Sequence, residues 1–450
     1  MREVPLNRPG TSLVRFLFIM LLLSAVLNGA AFWLKRVGWY EPQLHQYYMN
    51  NFSVGLGHQW TDEERKQLSD FTHNIYQSVG NERLLKLCKA LWIGAFLIIS
   101  LLLLWRLPDL PVRKPPWPLA LMITVTAIGS VVSLIQFGPA MLLGGMRFFS
   151  FLIIATVGYW AVQQKSLHFL AQCLLLFLLF QVLLVPTEIH HGVHLFGTYF
   201  GARAAGTMLQ PSSLGLMAVI GFIFYLQFSS YRMLAVPAFI ATAILVVYSQ
   251  SAAALLLLLI ILSAKAYFLL AVRYRVGLLL WGGTAFILFI IMLPGIVQRP
   301  DVYDSLWGRL FTFEGYLSGL PDVQTLLFGQ GLGAGTNAAL NIMMNWQGGF
   351  QEVKISSKLF TADSTPLALL AQVGIVGVIA FYLLLAYAAW RDAKAAPLYL
   401  AISIASLTTI VTELFPVNVI LGLLLARSLY LMPSEDGDKV SGRLLPTAGE

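Results

Sequence analysis

Phe328-Gly329-Gln330-Gly331-Leu332-Gly333-Ala334-Gly335 stands at the centre of a polar, glycine-bearing insert, residues 297 to 362, caught between two strongly apolar segments. Trp307-Gly308-Arg309 precedes the run and Thr361-Ala362-Asp363-Ser364 closes the insert. What flanks it decides the fold. Hydrophobic residues make up 58% and charged residues 11% of the 450, and mean hydropathy is +0.75. Soluble domains carry roughly 25% charged residues, so this composition is that of an integral membrane protein. Backbone in hydrocarbon must satisfy its own hydrogen bonds, so apolar runs near the ~20 residues needed to cross it are helices. The short alternating segments of a membrane β-barrel do not occur.

Spans are expected near residues 14 to 34, 88 to 106, 117 to 137, 148 to 163, 166 to 185, 212 to 229, 232 to 248, 251 to 271, 276 to 296, 364 to 388, 396 to 413 and 416 to 432. The expected fold is therefore an all-α polytopic membrane protein of about twelve helices. A turn at Ser249-Gln250-Ser251 must divide one long apolar stretch. The opening Arg2, Arg8 and Arg15, with Phe16 to Leu27 behind them, have the form of a signal peptide. We read them as the first span, because the following segments need it for orientation.

Arg106, Arg113, Lys114, Lys165, Arg232, Arg273, Arg275, Arg391 and Lys394 all fall in loops on one side, which the positive-inside rule makes cytoplasmic. Both termini then face the cytoplasm. Residues 35 to 87, 186 to 211 and 297 to 362 form longer extracytoplasmic segments, partly helical, within one transmembrane domain spanning 1 to 433. The polar tail from 434 to 450 is expected to be disordered. Thr61-Asp62-Glu63-Glu64 opens a helix-like run through Phe71 and Ile75 that reads as an amphipathic lid. A net charge of +8 and a pI near 9.4 suit basic loops on anionic lipid, and no basic patch interleaved with aromatics points to nucleic acid. Cys88 and Cys173 lie on apolar runs without metal-ligand spacing.

Chemistry concentrates in the outer segments. Arg203, in Gly201-Ala202-Arg203-Ala204-Ala205-Gly206-Thr207, lies among small residues just before a membrane helix. Its guanidinium can bind two phosphate oxygens at once, the alternative being an interfacial arginine among lipid headgroups. Glu188, His190, His191, His194 and Gln210 are candidate contacts for a sugar or acceptor. Three histidines in five residues suggest zinc only weakly, since Gly192 interrupts the helix and no cysteine is near; no metal or cofactor is expected. Arg147 sits at an outer helix end, where a charge is a functional candidate or a snorkelling side chain. Arg309 adds another guanidinium, and the N–H groups of Gly329 to Gly335 could face an anion, although the run lacks the Lys-Ser/Thr of a nucleotide loop. Asp363, at the start of the tenth span, reads either as a helix N-cap or as a carboxylate placed to take a proton.

Arg203-x-x-Gly206-Thr207 followed by Pro211, the Ser249 to Ser251 turn, the outer loop with Arg309 and Gly329-Gln330-Gly331-Leu332-Gly333, and Gln372-Val373-Gly374-Ile375-Val376-Gly377 together resemble the O-antigen ligase and polymerase superfamily. The resemblance covers about residues 190 to 390 and rests on the order of loose motifs. It implies a GT-C-like glycosyltransferase at the outer face of a bacterial inner membrane, taking a glycan from undecaprenyl diphosphate. By that carry-over Arg203, Arg309 and Arg147 hold the diphosphate and Asp363 is the catalytic carboxylate. Implied partners are the lipid-linked donor and acceptor, membrane lipids and a chain-length regulator protein. Two departures stand out. The ligases usually have a histidine where this chain has Asp363-Ser364, and Ala252 follows Ser251 where an arginine is common. The chain therefore looks more like a polymerase of O-antigen or exopolysaccharide than a ligase. A transporter or flippase, the alternative of another class, predicts ionisable residues in mid-helix and interrupted, paired helices.

Overall fold

The computed structural model describes residues 116–157, 164–190, 203–208, 210–269, 287–297, 302–318, 322–336 and 362–430, with Ile19, Val26 and Glu63. Apart from Ile19, Val26 and Glu63, the expected first two spans, the lid run around residue 61 to 75, His191, His194 and the tail lie outside the described residues. What is described is all-helical: α1 Trp117–Phe137, α2 Pro139–Met146, α3 Ser150–Val157, α4 Gln164–His190, α5 Pro211–Phe228, α6 Ala235–Ser249 and α7 Ala252–Leu269. There follow α8 Ile287–Ile296, α9 Val302–Ser318, α10 Val323–Phe328, α11 Thr365–Arg391, α12 Ala396–Ser406 and α13 Val417–Tyr430. Four stretches, Trp117–Phe137, Leu167–Ile189, Pro211–Phe228 and Thr365–Arg391, are long and apolar enough to cross a membrane.

Local chemistry sets the boundaries. α1 ends where Gly138 turns to φ 83° and bonds back to the Ser133 carbonyl, and Pro139 starts α2. Gln250, left-handed at φ 46°, divides α6 from α7 at the expected turn. Two expectations need correction. The span from 396 to 413 stops at Ser406, because Thr408, Thr409, Val411 and Thr412 disfavour helix and Pro416 cannot continue it. The span expected from 166 to 185 runs on, because α4 continues through Pro186 to His190.

α5 is the central helix. It packs against α4, α6, α7 and α12, and residues from Leu214 to Phe224 are buried all round, as expected of a helix apolar on every face. α13 lies on α3, where Gly422 leaves room for Ile154 and Phe151, and Phe151 meets Phe381 of α11 edge to face at 5.8 Å. Ile135, Leu176, Leu183 and Val247 point outwards, an apolar surface suited to lipid.

The bundle has two distinguishable ends. At one, Arg427 Nε lies 2.6 Å from Asp392 Oδ2, and Lys394 and Arg427 sit 5.2 and 5.3 Å from the Phe228 ring centre. His168 Nδ1 reaches the Phe228 carbonyl at the same end. The start of α4 and the ends of α5, α11 and α13 therefore meet there. The end of α4 and the starts of α5, α11 and α13 must lie at the opposite end, and every described candidate whose contacts place it falls there.

Candidate functional site

The loop Arg203–Met208 is built from α4 and α6. Glu188, 1% exposed, accepts from the Ala205 and Gly206 N–H groups at 2.7 to 3.2 Å. About two turns back on α4, Gln181 accepts from the Thr207 N–H at 2.9 Å and donates to the Thr207 hydroxyl at 2.6 Å. Glu188, expected as a sugar or acceptor contact, here accepts from the backbone of this loop. A carboxylate meets two convergent N–H groups better than any neutral side chain. Gly206, at φ 56°, is required: a Cβ there would stand 2.3 Å from Gln181 Oε1.

The other wall is the Ser249-Gln250-Ser251 turn. Ala204 N–H donates to the Tyr248 carbonyl at 2.9 Å and Arg203 Nε to the Ser249 carbonyl at 3.1 Å. A half-buried guanidinium thereby caps the carbonyl end of α6, which favours cations. Gly215 of α5 admits the turn, since a Cβ would lie 2.6 Å from Ser249 Oγ. Two of the motifs that carry the family resemblance, 46 residues apart at their contact, are one joint. Gln210 occupies the N-cap position of α5 without using its side chain as a cap, and is exposed. His190 is the last residue of α4.

The other two motifs form a second joint. Gly374 breaks α11 with φ 69° and ψ −173°, and the carbonyls of Ala371 and Gln372 accept from the Gln330 and Gly331 N–H groups at 2.8 and 3.1 Å. Leu332 N–H goes to the Gly129 carbonyl of α1, Gly333 N–H to Gln372 Oε1, and Ser133 Oγ donates to the Leu332 carbonyl. Residues 331–336 are all buried. The glycine run is therefore a strap among apolar helices, and its expected role as an anion cradle is corrected: its N–H groups from Gly329 to Ala334 bond to protein carbonyls or to Gln372. It meets α11 at Gln372, about 10 Å along from Thr365 at 1.5 Å per residue. Irregular backbone at such depth persists where it is enclosed and bonded by protein, as the strap's N–H groups from Gly329 to Ala334 are.

The strap ends at the remaining candidates. Gly335 accepts from Ala362 N–H at 2.8 Å, and Asp363 follows, exposed. Ser364, not Asp363, holds the N-cap position of α11, and Asp363 is one residue outside the helix. Thr365 N–H and hydroxyl both donate to the Thr409 carbonyl, at 3.2 and 2.9 Å, and Val411 N–H returns to the Thr365 hydroxyl at 3.0 Å. That loop carries Glu413, whose Oε1 accepts from Arg147 Nη2 at 3.3 Å. Arg147 caps α2 in the turn before α3, and Asn418 beside the loop donates to Ser150 Oγ. Asp363 and Arg147 thus stand on either side of one loop. Arg309 lies half-buried in the middle of α9, whose Phe313 and Tyr316 reach the core. Among the described residues no cluster of His, Cys, Asp or Glu could hold a metal.

Gln181, Gln372 (quoted only within the Gln372-to-Gly377 motif) and Glu413 were given no role of their own in the sequence. The first two had a readable signal: a carboxamide within a long apolar run must find a partner at membrane depth. No family model matches the chain, and no curated protein matches it.

Proposed function

We propose that the protein is a metal-independent membrane glycosyltransferase that polymerises undecaprenyl-diphosphate-linked oligosaccharide units at the outer face of a bacterial inner membrane, in a GT-C-like fold of about twelve spans. One observation carries the reading. Arg203, Arg147 and Asp363, from three separated segments, lie at one end of an apolar bundle, opposite the Asp392, Lys394 and Arg427 end. Guanidinium groups gathered where a bundle meets the headgroup region suit a diphosphate leaving group, whose developing charge they stabilise without a metal. Arg203 and Arg309 take that role, and the acceptor hydroxyl attacks the anomeric carbon from the side of Asp363. Transfer to a different lipid or protein acceptor, a ligase reaction, uses the same groups.

The break at Gly374 favours a second reading, a polysaccharide or lipid transporter, because transporters use interrupted helices. Here, however, the carbonyls beside the break accept from the strap. The buried charged residues among those described, Glu188 and Asp392, sit at helix ends and not in mid-membrane.

The test is incubation of the purified protein with defined undecaprenyl-diphosphate oligosaccharides, alone and with candidate acceptors, following product length. Chain growth lost in Arg203→Ala and Arg309→Ala supports the polymerase. No growth, together with full genetic activity of both variants, refutes it.

A further inference from the structure

Glu413 is a carboxylate in an unusual position. It sits in the loop between α12 and α13, its side chain is 10% exposed, and its immediate neighbours Thr412 and Leu414 are buried. One oxygen, Oε1, is held by Arg147 Nη2. Oε2 takes no hydrogen bond from any described residue, and it is not sealed away from the surface. The adjacent Thr412 hydroxyl is fully buried and has no partner among the described residues.

The loop is fixed on both sides. Thr365, at the start of α11, bonds to Thr409 and Val411, and Asn418 bonds to Ser150 at the start of α3. The loop that carries Glu413 thereby lies between Arg147 and the entrance of α11, at the end of the bundle that collects the other candidates. Asp363 offers a contrast: it is exposed and lies outside the helix. A base that must meet one hydroxyl in one orientation needs a third group to hold it, and Glu413 has such a group.

We propose that Glu413, oriented by Arg147, is the proton acceptor of the glycosyl transfer. The proposal rests on the reading above and names a further residue of the same site. The acceptor hydroxyl oxygen forms a bond to the anomeric carbon, the bond from that carbon to the phosphate oxygen breaks, and its electron pair leaves with the diphosphate. The hydroxyl proton passes to Oε2 and then to water, so no oxidant, reductant or metal is needed. Arg147 is a positioning residue, acting through Glu413.

The experiment uses the full chain in lipid nanodiscs with an undecaprenyl-diphosphate oligosaccharide, measuring kcat and KM per folded molecule, with thermal unfolding as the folding control. Removing a positioned base costs about 10²- to 10⁴-fold, so Glu413→Gln should lower kcat by that factor while KM for the donor stays within about threefold. Glu413→Asp should recover about tenfold over Glu413→Gln, since it retains a base. Arg147→Lys should lower kcat rather than raise KM, and adding it to Glu413→Gln should cost little more, because the two act as a unit. If Glu413→Gln keeps kcat within about threefold of wild type, or raises KM alone, the base is refuted and the polymerase stands. If the wild-type protein extends no chain, the polymerase and the base fall together.

Discussion

Gly374→Ala should destabilise the bundle by an amount that the structure lets one divide into two parts. Its backbone, at φ 69° and ψ −173°, lies in a region essentially reserved for glycine, and forcing alanine there costs about 1–3 kcal/mol. The added Cβ would also stand 2.2 Å from the Leu327 oxygen, 2.3 Å from its carbon and 2.4 Å from the Phe328 nitrogen. These are backbone atoms of α10, which cannot rotate away, so separating the strap from α11 adds about 1–3 kcal/mol of overpacking. The sum of about 2–6 kcal/mol is large against a typical total of about 5–15 kcal/mol. Gly138 supplies the comparison. Its backbone is almost the same, φ 83° and ψ −178°, yet nothing lies within 4 Å of its would-be Cβ. Gly138→Ala should show the conformational part alone, about 1–3 kcal/mol. The assay is tryptophan-fluorescence melting in one detergent at a fixed scan rate, since membrane-protein unfolding is often irreversible and only matched rates compare. The expected order is wild type, then Gly138→Ala, then Gly374→Ala. Equal melting of the two variants would refute the close approach of α10 to the kink, and wild-type melting of Gly374→Ala would refute both parts.

Glu188→Ala removes the carboxylate acceptor of the buried Ala205 and Gly206 N–H groups and should cost about 2–6 kcal/mol at about 1–3 each, seen as lower melting together with loss of any function that needs Arg203. Arg427→Ala should destabilise by about 3–5 kcal/mol by stranding the buried Asp392, and Arg427→Ala with Asp392→Asn should melt higher than Arg427→Ala alone. Asp322 caps α10 by accepting from Thr325 N–H at 2.6 Å, and that bond holds its carboxyl below the ordinary 3.8. A lowered folded value means the cap contributes fully above the unfolded value and is lost as pH falls through the lowered folded one, so protection of the Thr325 amide should drop on acidification below the ordinary carboxylate range in wild type but not in Asp322→Asn. Tyr316 has a buried hydroxyl with no partner among the described residues, and burial pushes it up to about 12. Tyr316→Phe should therefore melt no lower than wild type, and should remove one late-ionising tyrosine from an ultraviolet titration.

Much of the helical framework was legible because its causes are local. The apolar length of Trp117–Phe137 fixed that helix to the residue, Gly138-Pro139 ended it, and the Ser249-Gln250-Ser251 turn divided α6 from α7 as expected. Lys394, one of the loop cations in the sequence, lies at the same end of the bundle as the Asp392 and Arg427 pair. Where hydropathy alone was the guide it overran: the apolar stretch after Ser406 contains the threonines and Pro416 that make it a loop.

The parts that position the site were decided by pairings between distant atoms. Nothing within Gly329 to Gly335 says that its N–H groups will meet the carbonyls of Ala371 and Gln372, or that Ser133 will bond to Leu332 across 199 residues. The same holds for Glu188, which has the composition of a ligand residue and the partners of a structural one. Arg147 and Glu413, 266 residues apart, are each ordinary in their own surroundings. The sequence by itself determined that this chain is a stack of apolar helices, because transfer to hydrocarbon depends on side chains summed along a run. Only the tertiary structure decided which buried polar groups serve the backbone and which remain for chemistry, because a hydrogen bond is settled by its partner, and here the partners come from elsewhere in the fold.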